Sequence, residues 1–248
     1  MKQYLKHENL PWLTLLCGGI GMLLRIWLLS TENDLGFIAR GHISEILLTI
    51  LTVVFLALLG VACLSLSQGN KYRFNFPASM TSGIGIAVAA LGCAVASIQE
   101  LTAAADGVER VCALLGLVST AILLFVGYCR WKGSRPSCLF HGILCVWLMV
   151  HLICLYRAWG SDPQLEDYCY QLLTLVFAML TAYQRATFDA NFGQRPAHAF
   201  FSLAGVYCCI LSLSGPENRL LCLSLGLWMF CDLCRLTPMP RRYRRTQA

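Results

Sequence analysis

The chain has 248 residues, of which 57% are hydrophobic and 13% are charged, and its formal net charge at pH 7 is +6. Soluble domains carry about 25% charged residues, and a soluble core would not divide into long uncharged runs with charged flanks. The composition therefore excludes an ordinary soluble domain and predicts a membrane protein.

Eight apolar runs follow one another along the chain, each close to the ~20 residues with which a helix crosses a bilayer. They cover residues 11–30, 43–67, 81–99, 110–130, 137–156, 165–186, 197–213 and 219–237. The sequence thus predicts an all-α polytopic membrane protein with eight transmembrane helices.

Charges of opposite sign alternate between the gaps that separate these runs. The amino terminus, the gaps after runs two, four and six, and the carboxyl tail hold 14 of the 19 lysine and arginine residues. The other four gaps hold 10 of the 13 acidic residues. Because cationic loops are retained in the cytoplasm, this pattern predicts a multi-pass protein of the cytoplasmic membrane with the N-terminus and C-terminus both cytoplasmic.

Short segments of the first four runs match segments of the last four in the same order. Leu-Thr-Val-Val-Phe at 51–55 matches Leu-Thr-Leu-Val-Phe at 173–177, and Cys-Ala-Leu-Leu-Gly-Leu at 112–117 matches Cys-Leu-Ser-Leu-Gly-Leu at 222–227. We therefore predict a 4+4 parallel internal repeat, with halves at 1–134 and 135–237 and a basic cytoplasmic tail at 238–248. Apolar segments also match by chance, and that alternative stays open.

Small residues inside the runs are expected to serve packing. Most of the 14 cysteines lie within apolar runs and should behave as small hydrophobic residues. Gly83 and Gly85 are typical of glycines that let membrane helices approach closely.

Polar side chains form a stripe on one face of run six, at spacings of three and four residues. The stripe contains Asp167, Gln171, Thr174, Ala178, Thr181 and Arg185. The repeat transfers its outer half to Glu45 and Thr52 of run two. Two such faces predict an outward-facing vestibule; the alternative is a packing seam in which each threonine bonds its own helix.

Three ionisable residues of neighbouring runs complete the predicted site. Arg25 and Arg157 are candidate counter-charges, and His151 in the middle of run five either contacts a solute or is a neutral histidine bonded to another helix. The predicted ligand-binding residues are Glu45, Asp167, Arg25, Arg157, Gln171, Thr52, Thr174 and His151.

One stretch of the chain resembles a known group of proteins. Trp-Gly-Ser-Asp-Pro-Gln-Leu-Glu-Asp-Tyr-Cys-Tyr at 159–170 and Tyr-Gln-Arg-Ala-Thr-Phe-Asp at 183–189 resemble uncharacterised multi-span membrane proteins of Firmicutes such as gut clostridia. The resemblance covers mainly run six and its flanks. It implies a bacterial cytoplasmic membrane and brings no activity.

The motifs of common enzymes are missing from the sequence. We find no His-Glu-x-x-His zinc pair, no Gly-x-Ser-x-Gly elbow and no P-loop, so we predict no catalytic residue, metal site or cofactor, and no nucleic-acid partner. The lipid bilayer is the expected surrounding. The leading hypothesis is a small transporter or permease-like module that binds a small-molecule solute, with Glu45 and Asp167 favouring a cation or amine. The alternative is a scaffold or sensor subunit that acts through a membrane or cytoplasmic protein partner.

Overall fold

The computed structural model describes residues 9–30, 42–66, 71–160, 168–215 and 218–233. Within these ranges the chain forms eight long helices and one short helix, and no strand. The helices are α1 (Leu10–Leu29), α2 (Ile43–Leu64), α3 (Tyr72–Asn75), α4 (Met80–Ala103), α5 (Gly107–Lys132), α6 (Cys138–Trp159), α7 (Cys169–Asp189), α8 (Arg195–Ser212) and α9 (Arg219–Leu233). Each long helix coincides with one predicted apolar run, which confirms the all-α class.

Five of the helices are long and apolar enough to cross a membrane: α1, α2, α4, α5 and α6. The other three long helices, α7, α8 and α9, have 21, 18 and 15 residues. They carry buried polar side chains such as Thr181, Arg185 and Asp232, which lower their average hydropathy. Eight spans therefore remain a prediction for these three helices.

The outer helices present apolar side chains to the surroundings. On α1 and α2, Leu23 is 68% exposed and Leu64 is 80% exposed. Soluble monomers rarely expose large continuous apolar surfaces to water, whereas in a membrane lipid chains cover such surfaces and keep water away from them. The surface of the bundle is therefore that of a membrane-embedded protein.

The core is built around α8, of whose 18 residues 13 are buried. This helix packs against α1, α2, α7 and α9. Trp147 of α6 and Trp228 of α9 are fully buried in the same apolar cluster as Val206 and Cys209 of α8, which agrees with the positions of the two tryptophans deep inside runs five and eight. Helix α9 also packs along α4, so it joins the α4–α5 pair to the rest of the bundle.

Helices α4 and α5 form the closest pair, and glycines at their crossing explain why. A Cβ atom added to Gly83 would lie 2.8 Å from the backbone oxygen of Gly127. Only hydrogen fits there without moving a backbone, as expected for close-packing glycines. Helix α5 then ends at Gly133, whose φ of 70° is left-handed and is readily adopted by glycine.

The connections between helices collect at two opposite ends of the bundle. At one end the Tyr72 hydroxyl donates to the Ser134 carbonyl at 3.3 Å, and the Tyr72 amide donates to Asn191 Oδ1 at 3.3 Å. The connections after α2, α5 and α7 therefore meet, and we call this end the basic face. The other end, which holds the α4–α5 connection with Asp106 and Glu109, is the acidic face.

The two predicted halves pack differently. Helix α7 packs along α8, whereas their counterparts α2 and α4 share no extended contact among the described residues. Helix α2 instead packs on α1 and α8. Its buried face includes Thr52 but leaves Thr49 exposed. The 4+4 repeat therefore remains a prediction from sequence.

Candidate functional site

Buried polar groups mark the places where a membrane bundle can carry a function, because such groups are costly unless they are paired or face water. The described residues contain three such places. Two lie towards the acidic face and one lies towards the basic face.

The first place, which we call the polar seam, lies between α2, α7 and α8. Its centre is Thr52, whose hydroxyl donates to the Leu48 carbonyl at 2.8 Å. The same hydroxyl lies 2.9 Å from the Tyr207 hydroxyl and 3.2 Å from the Tyr170 hydroxyl. Three helices are thus joined by hydrogen bonds around one threonine.

Three further predicted residues lie along the polar seam. Arg25 donates to the Leu211 carbonyl at 3.1 Å, and its guanidinium lies 5.0 Å from the centre of the Tyr170 ring. Thr174 bonds the Tyr170 carbonyl at 2.9 Å. Gln171 is buried in the same wall.

The polar seam is packed rather than open. Arg25, Thr52, Gln171 and Thr174 are all buried, and two of them bond to the backbone of their own helix. For these four residues this is the geometry of the packing alternative, and the vestibule headed by Glu45 and Asp167 stays a prediction. Glu45 is half-buried in the first turn of α2, and Asp167 lies outside the described residues.

The second place, which we call the ionic cluster, lies towards the basic face. Arg185 Nε lies 3.1 Å from Asp232 Oδ2, and His198 Nε2 lies 3.3 Å from the same oxygen. His141 Nδ1 lies 2.6 Å from Asp189 Oδ2. All five side chains are fully buried.

Aromatic rings of the α2–α4 connection close the ionic cluster. The Arg185 guanidinium lies 3.8 Å from the centre of the Phe76 ring, and that of Arg130 lies 5.0 Å from the same centre. Burial raises the pKa of the neighbouring Tyr72 hydroxyl, so this group stays a neutral hydrogen-bond donor. Together with Arg130 and the Phe76 ring, the cluster ties α5, α6, α7, α8 and α9 together.

The sequence offered only part of the ionic cluster. Spacing along run eight pairs Asp232 with Arg235, but the structure pairs Asp232 with Arg185 of α7; Arg235 lies outside the described residues. Arg185 closes the polar stripe of run six, so its burial was predictable. Its partner was not, because contacts between distant helices leave no periodic signal.

The third place is a cavity of about 480 Å³ near the acidic face, between α4, α5 and α6. We call it the acidic cavity. Among the described residues, its lining includes two carboxylates and no lysine or arginine. The lining residues are Glu100, Ala103, Ala104, Glu109, Cys112, His151, Cys154, Leu155, Ala158 and Asn218.

His151 and Glu100 form the polar end of the acidic cavity. His151 Nδ1 lies 3.4 Å from Cys112 Sγ and 3.7 Å from Glu100 Oε2. The imidazole is buried, and its Nε2 has no hydrogen-bond partner among the described residues. The Glu100 side chain is 25% exposed, and because 3.7 Å exceeds an ordinary hydrogen bond, its carboxylate can accept one from a ligand.

Glu109 has a structural task that Glu100 lacks. Its Oε2 accepts hydrogen bonds from the amides of Ala105 at 3.0 Å and Asp106 at 3.4 Å. These bonds cap the first turn of α5. Glu109 therefore adds negative charge to the wall, and Glu100 is the carboxylate placed to contact a solute.

Two of the predicted site residues belong to this region. His151 lines the acidic cavity, and Arg157 lines an adjoining cavity of about 140 Å³ together with Asp106 and Glu109. Glu100 and Cys112 were missed, since the first counted only as a loop charge and the second as a small hydrophobic residue. Helical spacing did not reveal them because they meet His151 from different helices.

Among the described residues, no group of three His, Cys, Asp or Glu side chains has the arrangement needed to hold a metal ion. The acidic cavity instead combines a carboxylate, an imidazole and an apolar wall, which suits a small organic cation. Searches against protein-family models, curated proteins and solved structures find no match to this chain.

Proposed function

We propose that this membrane-embedded protein is a small transporter or permease-like solute-binding module, and that it takes a small organic cation or amine in the acidic cavity. The observation that carries the proposal is the partly exposed Glu100 carboxylate inside a cavity of about 480 Å³, whose described lining residues include no lysine or arginine. Small-molecule sites occupy about 300–1,000 Å³. With both termini in the cytoplasm of a bacterial cell, this cavity opens outward.

The lining supplies both kinds of contact that an amine needs. An ammonium group donates charge-assisted hydrogen bonds to a carboxylate, and these are stronger than neutral ones. Leu155, Ala103 and Ala158 offer an apolar wall to the methylene groups of the same ligand. Glu109 adds a second negative charge, so the cavity disfavours anions.

This site differs in place from the vestibule that the sequence predicts, although the ligand class is the same. The polar seam around Thr52 leaves its polar groups bonded to protein, so a solute would have to break those bonds. In the acidic cavity a solute can bind the Glu100 carboxylate without breaking such bonds. His151, which the sequence places beside the vestibule, lines the acidic cavity instead, and Arg157 lines the adjoining smaller cavity.

Ligand-dependent thermal stabilisation of the purified protein tests the proposal. The probes are methylammonium, choline, putrescine and spermidine, added to wild type and to two single variants in detergent. Glu100→Gln removes one of the two carboxylates of the acidic cavity and leaves Glu109 in place, and Glu45→Gln removes an acid from the first turn of α2, outside that cavity. Losing a charge-assisted hydrogen bond of about 1.5–3 kcal/mol weakens binding at least tenfold.

We expect the stabilising probe to lose its effect on Glu100→Gln and to keep it on Glu45→Gln. If the probe instead lost its effect on Glu45→Gln and kept it on Glu100→Gln, the site would lie on the α2 and α7 faces. Absence of stabilisation by every probe would refute the cation site.

A scaffold or sensor subunit acting through a protein partner is the second candidate. The packed polar seam favours this candidate, because a subunit that acts through a partner needs no solute passage between its helices. This function predicts that a defined protein co-purifies with the full chain and is lost when residues 238–248 are deleted. Unchanged co-purification would remove the tail from the contact.

A further inference from the structure

A second large cavity, of about 1110 Å³, lies at the basic face. We call it the basic basin. It is bordered by the connections after α2, α5 and α7, and within the described part of the chain its lining contains four cationic side chains and no carboxylate. The lining residues are Lys71, Tyr72, Arg73, Phe76, Pro77, Ala78, Lys132, Gly133, Arg135, Asn191 and Phe192.

Bonds between the connections fix the walls of the basic basin. Tyr72 joins the connection after α2 to Ser134 of the next connection and to Asn191 of the third, each at 3.3 Å. Asn191 itself has a left-handed φ of 63°, a conformation that asparagine tolerates. The basin is therefore formed by tertiary contacts and needs no ligand to assemble it.

The ionic cluster beneath the basic basin does not neutralise the positive charge of the basin's rim. Arg130 and Arg185 lie beneath the Phe76 ring. The two aspartates of the ionic cluster are engaged there, Asp232 with Arg185 and Asp189 with His141. The four cations of the rim are exposed and carry four positive charges against no carboxylate in the lining. A ligand that enters the basin meets this full excess.

We propose that the basic basin binds a phosphate group, carried either by an anionic phospholipid of the surrounding leaflet or by a soluble phosphate compound. Lysine and arginine are the side chains that proteins use for phosphate. A basin at the end of a membrane bundle lies at the depth of lipid headgroups, where each basic residue contributes about fivefold in affinity. This proposal is independent of the acidic cavity at the opposite face.

Retention of positive loops in the cytoplasm also places cations on this face, but it does not require them to surround one cavity. That difference allows a matched comparison of two variants, each lacking four positive charges. The basin variant is Lys71→Gln, Arg73→Gln, Lys132→Gln and Arg135→Gln; the tail variant is Arg241→Gln, Arg242→Gln, Arg244→Gln and Arg245→Gln. A third variant, Lys71→Arg with Lys132→Arg, keeps the charge.

The experiment measures the melting temperature of each purified protein in detergent, together with bound lipid counted by native mass spectrometry. One arm adds dioleoylphosphatidylglycerol, a second adds dioleoylphosphatidylcholine, and a third adds inorganic phosphate or glycerol 3-phosphate without lipid. Circular dichroism without additive verifies that each variant is folded.

We expect at least tenfold weaker binding of the anionic probe to the basin variant, with wild-type binding by the tail and charge-keeping variants. An effect limited to dioleoylphosphatidylglycerol assigns the phosphate to lipid, and an effect of glycerol 3-phosphate or phosphate assigns it to a soluble compound. The proposal would be overturned if the basin and tail variants lost binding of the anionic probe equally. It would also be overturned if wild type bound no anionic probe more tightly than dioleoylphosphatidylcholine.

Discussion

Removing Asp232 should be among the most damaging single changes in the chain. The change Asp232→Ala leaves the Arg185 guanidinium fully buried without the carboxylate that now lies 3.1 Å away. At an effective dielectric constant of about 20, two unit charges at this distance attract by about 5 kcal/mol. Asp189 remains near enough to interact with Arg185, so we expect a loss of stability of about 3 kcal/mol, at the lower end of the range for broken buried pairs.

Unfolding of the purified protein in detergent, followed by circular dichroism, measures this loss. The informative comparison is the double variant Asp232→Ala with Arg185→Met, which removes both charges and keeps much of the arginine's apolar volume. Because the uncompensated charge is gone, the double variant should be more stable than Asp232→Ala alone. If the two single losses simply add in the double variant, the ionic cluster is not coupled as described.

The remaining predictions concern packing and orientation. Gly83→Ala should cost about 1–3 kcal/mol because its Cβ would press on a backbone oxygen, whereas Gly142→Ala, whose Cβ meets nothing within 4 Å, should be neutral; equal melting temperatures would contradict the close crossing. Thr52→Val should cost about 1–3 kcal/mol by leaving two tyrosine hydroxyls without this partner, and an unchanged melting temperature would refute that role. In intact cells, a membrane-impermeant thiol reagent should label Asp106→Cys and spare Lys71→Cys; the reverse would invert the orientation.

The helices were predictable from sequence because they depend on local properties. Run lengths and uncharged stretches locate every long helix to within a few residues, as α1 at Leu10–Leu29 against the predicted 11–30 illustrates. The described part of the stripe of run six was also correct as a face, since Gln171, Thr174 and Arg185 are all buried, whereas Asp167 lies outside the described residues. Periodicity reports which side of a helix avoids lipid or water.

What that buried face contacts was not predictable in the same way. The Thr52 hydroxyl meets tyrosines of α7 and α8, and Asp232 meets an arginine of α7. Such pairs depend on which helices are adjacent. Glu100 was missed for the same reason, because only the packing of the helices brings its carboxylate, on α4, close to His151 of α6.

An experimental structure of the full chain in nanodiscs, determined with the stabilising amine at saturating concentration, tests the central claim most directly. The account predicts ligand density in the acidic cavity, with the ammonium group within hydrogen-bonding distance of the Glu100 carboxylate and the apolar part against Leu155. Density beside Glu45 and Thr52, or an acidic cavity filled by side chains while the amine is bound elsewhere, would contradict it.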